Sequence, residues 1–515
     1  MGVLLSRYKK VIIDDIIQGI QSNNSNYYVF ASNPIYDPGL TRNVTTDDYT
    51  TTHLPIWQML FGKKLSGYEI IHVIKRNMYT YGAIYDRYDN TVLDLHTKSN
   101  FYCISNPTVI GGDYNIYKCI DNNNGGRSTV DPGSLLNPYD PNTFQTSDDY
   151  KWRYITSISK ENFDLFATRN YFPVYSNNLM NSTAPSRAGV EVVVITTPGS
   201  GYDAYANGVL YSAVNNSVLQ LSNTKINYSN FYNNCSIYIN TSNNNTSELL
   251  NVSKYETNTT GSFVYLTTPA NTSNFTFGAT TYYISPRLDF DTDGDSDPIA
   301  YAVINTFSNS ISSINVLDIG SNISRANAHI ISNFGSGANL YCIAPPPGGH
   351  GFEAASELDT KGFCMWINFA NTEANNILAS NVVYNKVGIF KDPYSMTNTG
   401  VKGVLYTSNT FSQVLSANLY TPVFIPITGD VVVGANSTAK GIVVQANSTT
   451  IDLVGDKNFI DGESISVNNV TVSTITINKR GDVYQKIISP MYTQNINDVT
   501  RSTIQTESFK FIVQV

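Results

Sequence analysis

Apolar residues recur near helical spacing over positions 5–20, where Val11, Ile12, Ile16 and Ile20 fall together and Lys9, Lys10, Asp14 and Asp15 fall mostly off that face. The spacing predicts a helix, followed by a strand at "NYYVFAS" (26–32) and a long, proline-studded polar loop. A second helix is expected after Ser66. Ser66 and Glu69 stand at capping-box spacing, and Ile70, Ile71, Val73 and Ile74 supply an apolar face. From there the pattern turns to strands. "NFYCIS" and "YNIYKCID" are short apolar runs, and "DDYKWRYITSIS" (148–159) alternates around Trp152, Tyr154 and Ile158, as a half-buried strand does. The terminal "SFKFIVQV" puts Phe509, Phe511, Val513 and Val515 on one face, so it needs a partner strand, expected in the N-terminal domain.

Between about 181 and 340 the helical signals disappear and Asn, Ser and Thr dominate. "VEVVVITTPGSGYDAYANGVL" (190–210) and "ISSINVLDIGSNISRANAHII" (311–331) share an order of apolar strand, glycine turn and alternating strand, and read as two copies of a β-hairpin unit. A third β segment, 421–480, consists of short strands between Gly/Asn turns and predicts a small barrel or sandwich. Composition agrees. Only 14% of residues are charged and 36 are Tyr, a balance that favours strands and turns. The fold class expected is mainly β with a few helices (α+β). Its multi-domain chain would have a discontinuous core domain carrying inserted β-sandwich or barrel-like domains.

Net charge is −8 with no basic stripe, which argues against nucleic acid as the main partner. No apolar run approaches the length of a membrane span, and the short apolar patch at the start precedes its basic residues, the reverse of a secretory leader. Five scattered cysteines (Cys103, Cys119, Cys235, Cys342 and Cys364) lack the pairing of a zinc site or disulfide framework and are expected as free, mostly buried thiols. Sequons such as those at Asn181, Asn240, Asn258, Asn271, Asn436 and Asn447 follow from the Asn-rich composition.

Candidate chemistry is sparse. In "DFDTDGDSDP", Asp289, Asp291, Asp293 and Gly294 match four positions of a calcium loop, but Ala300 stands where a bidentate Glu is needed. An acidic β-turn with weak cation affinity is the reading, so Asp289, Asp291 and Asp293 are a weak metal candidate and no other metal, cofactor or catalytic residue is expected. "TPGSGY" (197–202) reads as a hairpin turn rather than a phosphate loop. "APPPGGHGFEAASELD" (344–359) opens with an extended Pro345–Pro346–Pro347 entry and continues through Gly348, Gly349 and Gly351, which permit positive φ. "FEAASEL" then suits a short helix with Phe352 and Leu358 apolar. The loop is expected at a domain junction, with His350 hydrogen-bonded across it or sensing pH there.

The N-terminal third carries a resemblance. "LLSRYKKVIIDDIIQGI", "NYYVFAS" and "LPIWQMLFGKKLSGYEIIHVIKRNMYTYGAIYDRYD" resemble the baseplate wedge subunit of T-even-type contractile-tailed phages, the gene product eight family. "YNIYKCIDNNNGGRSTVDP", "DDYKWRYITSIS", "KVGIFKDPY" and a terminal strand preceded by "IQTE" follow in the same order, and "PPPGGHGFEAASELD" resembles a loop of longer marine-phage relatives. The resemblance covers roughly 1–180 and parts of 342–515. It implies a non-enzymatic virion protein of the tail baseplate, assembled in the host cytoplasm, homodimeric and bound to other wedge subunits, with no nucleic-acid or membrane partner and no cofactor. Such a subunit helps transmit the rearrangement that triggers sheath contraction. The expected domains are a core (1–180, 346–420 and a returning 481–515) with inserts at 181–345 and 421–480. Trp57, Tyr81, Tyr85 and Trp152 are expected as interface or core anchors. The alternatives are an exported surface glycoprotein or adhesin, suggested by the sequons, and a phage-borne polysaccharide-degrading enzyme.

Overall fold

Strand-forming sequence dominates the chain, and a computed structural model shows a mainly β protein with few helices. The structure describes residues 6–22, 25–32, 56, 58–92, 95, 99–135, 143–176, 189–222, 226–241, 246–346, 348–370, 383–455, 459–501 and 506–514. Trp57, Pro347 and Val515 lie outside the described residues. The chain divides into two units, one formed by 1–73 with 361–515 and the other by 74–360.

In the first unit, helix Ser6–Gln21 buries Ile13, Ile17 and Ile20 in one core with Phe363, Met365 and Ile367. Val11 and Ile12 face solvent. Of the expected stripe, Ile20 is buried and Ile16 packs against the core, while Ile13 and Ile17 take the places expected for Val11 and Ile12. A five-stranded antiparallel sheet runs in the order Thr410–Ser412, Met59–Lys64, Tyr27–Ser32, Val383–Lys391 and Pro490–Thr500. The C-terminal strand Glu507–Gln514 pairs along Gly362–Phe369, which in turn pairs with residues 70–73, so the chain end joins a sheet that includes N-terminal sequence but pairs directly with 362–369. Strands Leu415–Tyr420, Val431–Gly434, Lys440–Ala446, Thr450–Gly455, Ser464–Val467 and Val470–Lys479 close a barrel around Val432, Val443, Ile451, Leu453 and Ile475.

The second expected helix is a strand, Ile70–Lys75. Four β-branched residues lie within five positions, and all four are buried because the strand is covered on both faces, which erases the alternation that marks a half-exposed strand. The capping pair still forms. Glu69 Oε2 accepts from Ser66 N at 2.8 Å and from Ser66 Oγ at 3.0 Å, closing a turn in which Glu69 N donates to Ser66 O.

In the second unit, an antiparallel sheet orders Tyr102–Ser105, Tyr114–Asn122, Tyr150–Ile158 and Phe144–Gln145. Strand Tyr150–Ile158 is buried on both faces, not half-buried. Its pairing shifts so that Ile116 meets Thr156 while Tyr117 meets Tyr154. This bulge at Ile155 turns Ile158 away from the face that Trp152 and Tyr154 share, so the two sets enter different cores. A second closed barrel is built from Ala206–Asn215, Val218–Leu221, Ser236–Thr241, Thr246–Asn258, Gly261–Leu266 and Thr281–Ser285.

The two repeated segments do not form hairpins. Val192–Ser200 pairs with Ser336–Ile343, and Ala206–Asn215 enters the barrel. Ser310–Asp318 pairs with Ile299–Asn305, while Ala326–Ile331 pairs with Arg287–Thr292. "TPGSGY" is correspondingly not a hairpin turn. Pro198 and Ser200 remain in register with Ala338 and Ser336, and Gly199 (φ 67°) lets two backbones approach where a Cβ would meet Ala338 N at 2.7 Å.

Candidate functional site

The proline–glycine loop leads to an enclosed cluster of titratable side chains. Gly348, Gly349 and Gly351 all take positive φ, and Gly349 N donates to Pro346 O at 2.9 Å. The chain then folds into a single helical turn, Ala354–Glu357, which buries Ala354, Ala355 and Glu357 and leaves Phe352 exposed. Glu357 points back at the loop it follows. Its carboxylate accepts from Gly351 N at 2.6 Å, from His350 Nδ1 at 2.7 Å and from Lys118 Nζ at 2.8 Å. Lys118 belongs to strand Tyr114–Asn122. Its ammonium lies 3.2 Å from the centre of the Tyr88 ring, which His350 also meets edge-on at 5.5 Å. Side-chain exposures of 0% for Lys118, 2% for Glu357 and 4% for His350 close the cluster to water.

These contacts set the charges. Burial alone would raise the Glu357 carboxyl; the Lys118 charge and the hydrogen bonds from His350 and Lys118 outweigh it and hold the group down at about 2. Burial, and after it the neighbouring Lys118, pushes His350 below its ordinary value, so the imidazole is neutral and donates its Nδ1 proton to Glu357. The result is a lysine–glutamate ion pair with a neutral histidine as second donor. It ties the loop and the helical turn to the sheet strand. A carboxylate enclosed this way, with three donors spent on it, is built to hold backbone in place rather than to meet a substrate.

His350 was singled out from sequence, but its two partners were not. The available signal was Lys118 itself, a lysine inside an apolar run that is buried from Tyr114 to Ile120. A charge there requires a counter-ion. A second enclosed pair, Arg153 Nη1 to Glu191 Oε1 at 2.9 Å, receives a further hydrogen bond from Thr143 Oγ1. A cleft of about 580 Å³ opens beside it, walled across by Val316 to Gly320.

The other sequence candidates lie apart from this cluster. Tyr85 and Trp152 are buried edge to face at 5.3 Å, with Tyr150 stacked on the indole at 5.4 Å, so both are core residues. Tyr81 stands 75% exposed. Asp289 and Asp291 lie on strand Arg287–Thr292, opposite His329 and Asn327. Asp293 spends its carboxylate on Ser324 N (2.9 Å), Ser324 Oγ (2.5 Å) and Arg325 N (2.8 Å), contacts that pull it to about 2. The three carboxylates therefore serve two different elements, and no group of three or more His, Cys, Asp or Glu that could hold a metal occurs among the described residues. All five cysteines are buried thiols, and burial pushes each one up. No helix among the described residues is long and apolar enough to cross a membrane. No protein-family model matches the chain, and no curated protein matches it significantly.

Proposed function

We propose that the chain is a structural subunit of a contractile-tail baseplate wedge, which links neighbouring wedge subunits and helps transmit the rearrangement that triggers sheath contraction. The collinear resemblance of its N-terminal third and of parts of 342–515 supports this reading. The structural observation that carries it is the kind of surface presented. Ile110, Phe307 and Tyr68 stand almost wholly in solvent, and the run Val423, Ile425, Ile427 is exposed along a single loop. Scattered apolar residues are ordinary on any surface, but a run of three is the kind of feature that marks a protein contact. The enclosed Lys118–Glu357 pair fits the same role, because it fixes a loop and a helical turn to a strand within the 74–360 unit without offering reactive groups.

Co-expression with the wedge proteins of the same phage tests the proposal. A wedge subunit co-purifies with at least one of them through size exclusion, and Ile425→Asp or Phe307→Asp weakens that association without unfolding the chain. A strictly monomeric chain that ignores every wedge protein sinks the reading.

A further inference from the structure

A second cleft, of about 540 Å³, lies in the 74–360 unit, and its lining shares no residue with the Lys118 cluster. Its lining holds two guanidinium groups, Arg76 and Arg169, and no carboxylate among the described residues. In a chain of net charge −8, that is a local reversal of sign. The fold makes the two arginines neighbours. Arg76 N donates to Asn170 O at 2.9 Å and Arg76 Nη1 donates to Thr168 O at 2.9 Å, so the residue is bracketed by the backbone on either side of Arg169. The Arg76 guanidinium also lies 5.2 Å from the centre of the Phe163 ring, which holds its plane in place. Arg169 is exposed, and no ion pair of its side chain occurs among the described residues. The rest of the wall is apolar or neutral: Met78, Ile84, Asn100 and Thr80. Ile84 is half exposed at the rim.

From this arrangement we infer that the cleft is a docking site for an acidic peptide segment, with an Asp or Glu carboxylate held by Arg76 and Arg169 and the attached chain lying against Met78 and Ile84. Three features point to that class. A guanidinium matches a carboxylate bidentately, and the lining supplies two of them. A cleft lined by one sign of charge concentrates ligands of the other sign. The volume and apolar rim exceed the needs of a bare ion and fall in the range of organic ligands. The inference goes beyond the wedge proposal and does not rest on it.

Titration of the full chain with capped tetraglutamate, capped tetraglutamine and inorganic phosphate, followed calorimetrically at low salt, tests the site. The expected result is binding of tetraglutamate, none of tetraglutamine, and phosphate weaker by about tenfold or more, with the peptide affinity falling steeply as salt rises. Arg169→Glu should abolish peptide binding, and Ile84→Asp should weaken it by about tenfold through like-charge repulsion at the rim. Both positions are exposed, so unchanged circular dichroism is expected for both variants. The site assignment is overturned if tetraglutamate fails to bind, binds Arg169→Glu as well as wild type, or is matched by tetraglutamine. Phosphate binding as tightly as the peptide overturns the peptide assignment in favour of a free-anion site. Failure of either kind leaves the wedge co-purification result independent.

Discussion

Removing Glu357 is the most informative perturbation of this fold. In Glu357→Ala the ammonium of Lys118 stays at 0% exposure with its carboxylate gone, and two further donors, His350 Nδ1 and Gly351 N, lose their acceptor. Breaking a buried ion pair from one side costs about 3–5 kcal/mol, because the remaining charge is neither hydrated nor paired. The neighbouring aromatic face of Tyr88 offsets only a little of this, since it already contacts Lys118 in the native state. Native-state hydrogen exchange on strand Tyr114–Asn122 reads the effect where it arises. A loss of 3–5 kcal/mol corresponds to exchange faster by roughly 150- to 5,000-fold. Lys118→Met should cost a similar amount alone. Lys118→Met with Glu357→Ala should cost less than the sum of the singles by about 2 kcal/mol or more, because the double variant leaves no orphaned charge. If the two single effects add to within about 0.5 kcal/mol, or if Glu357→Ala exchanges like wild type, the cluster does not hold the loop to the sheet and the reasoning fails.

Three other perturbations have definite outcomes. His350 is held below its ordinary 6.5 in the fold, so below that pH the unfolded chain takes up a proton that the folded chain refuses; Glu357 adds a second loss between 4.5 and about 2. Stability of the 74–360 unit therefore falls as pH drops below 6.5, and His350→Gln should flatten the first part of that fall in urea midpoints measured at successive pH values; a wild-type midpoint constant from pH 7 to 5 contradicts this. Gly362→Ala places a Cβ 1.9 Å from Val513 O, so the C-terminal strand must shift or detach, with a loss of about 1–3 kcal/mol and faster exchange along 507–514. Unaltered protection there would contradict the pairing. Trp152→Ala empties the centre of the Tyr85–Tyr150–Trp152 stack and should cost about 3–5 kcal/mol in thermal or urea unfolding.

Local rules read well where helical spacing or flanking turn residues marked an element, and less well where a run dry on both faces sat beside a helix-like cap; Tyr27–Ser32 was read correctly although all six of its positions are buried. The Ser6–Gln21 helix and the Tyr27–Ser32 strand were legible, as was the small barrel that spans the expected 421–480 segment, because short strands between Gly/Asn turns leave few other solutions. Ile70–Lys75 was misread as a helix because burial on both faces removes alternation, and a Ser–Glu capping pair serves a tight turn as well as a helix start. The repeat-like segments failed for a different reason. Their strand–turn–strand order is local, but each strand's hydrogen-bond partner is distant in sequence, as when Val192–Ser200 crosses to Ser336–Ile343. The bulge at Ile155 likewise depends on the partner strand and left no mark in the alternation of Trp152, Tyr154 and Ile158. His350 stood out as a lone imidazole in a glycine loop, whereas its role depends on Lys118, 232 residues away. Such a pairing is a tertiary fact, hinted at only by a lysine in an apolar strand.

The wedge proposal is tested most directly by a cryo-electron microscopy map of intact phage tails with this chain located in the density. A wedge subunit predicts six-fold-related density for the whole chain within the baseplate ring, with its exposed apolar loops, including Val423 to Ile427, seated against neighbouring subunits. Density for the chain only on fibre tips or the outer surface of the tail, or its absence from the particle, would contradict it.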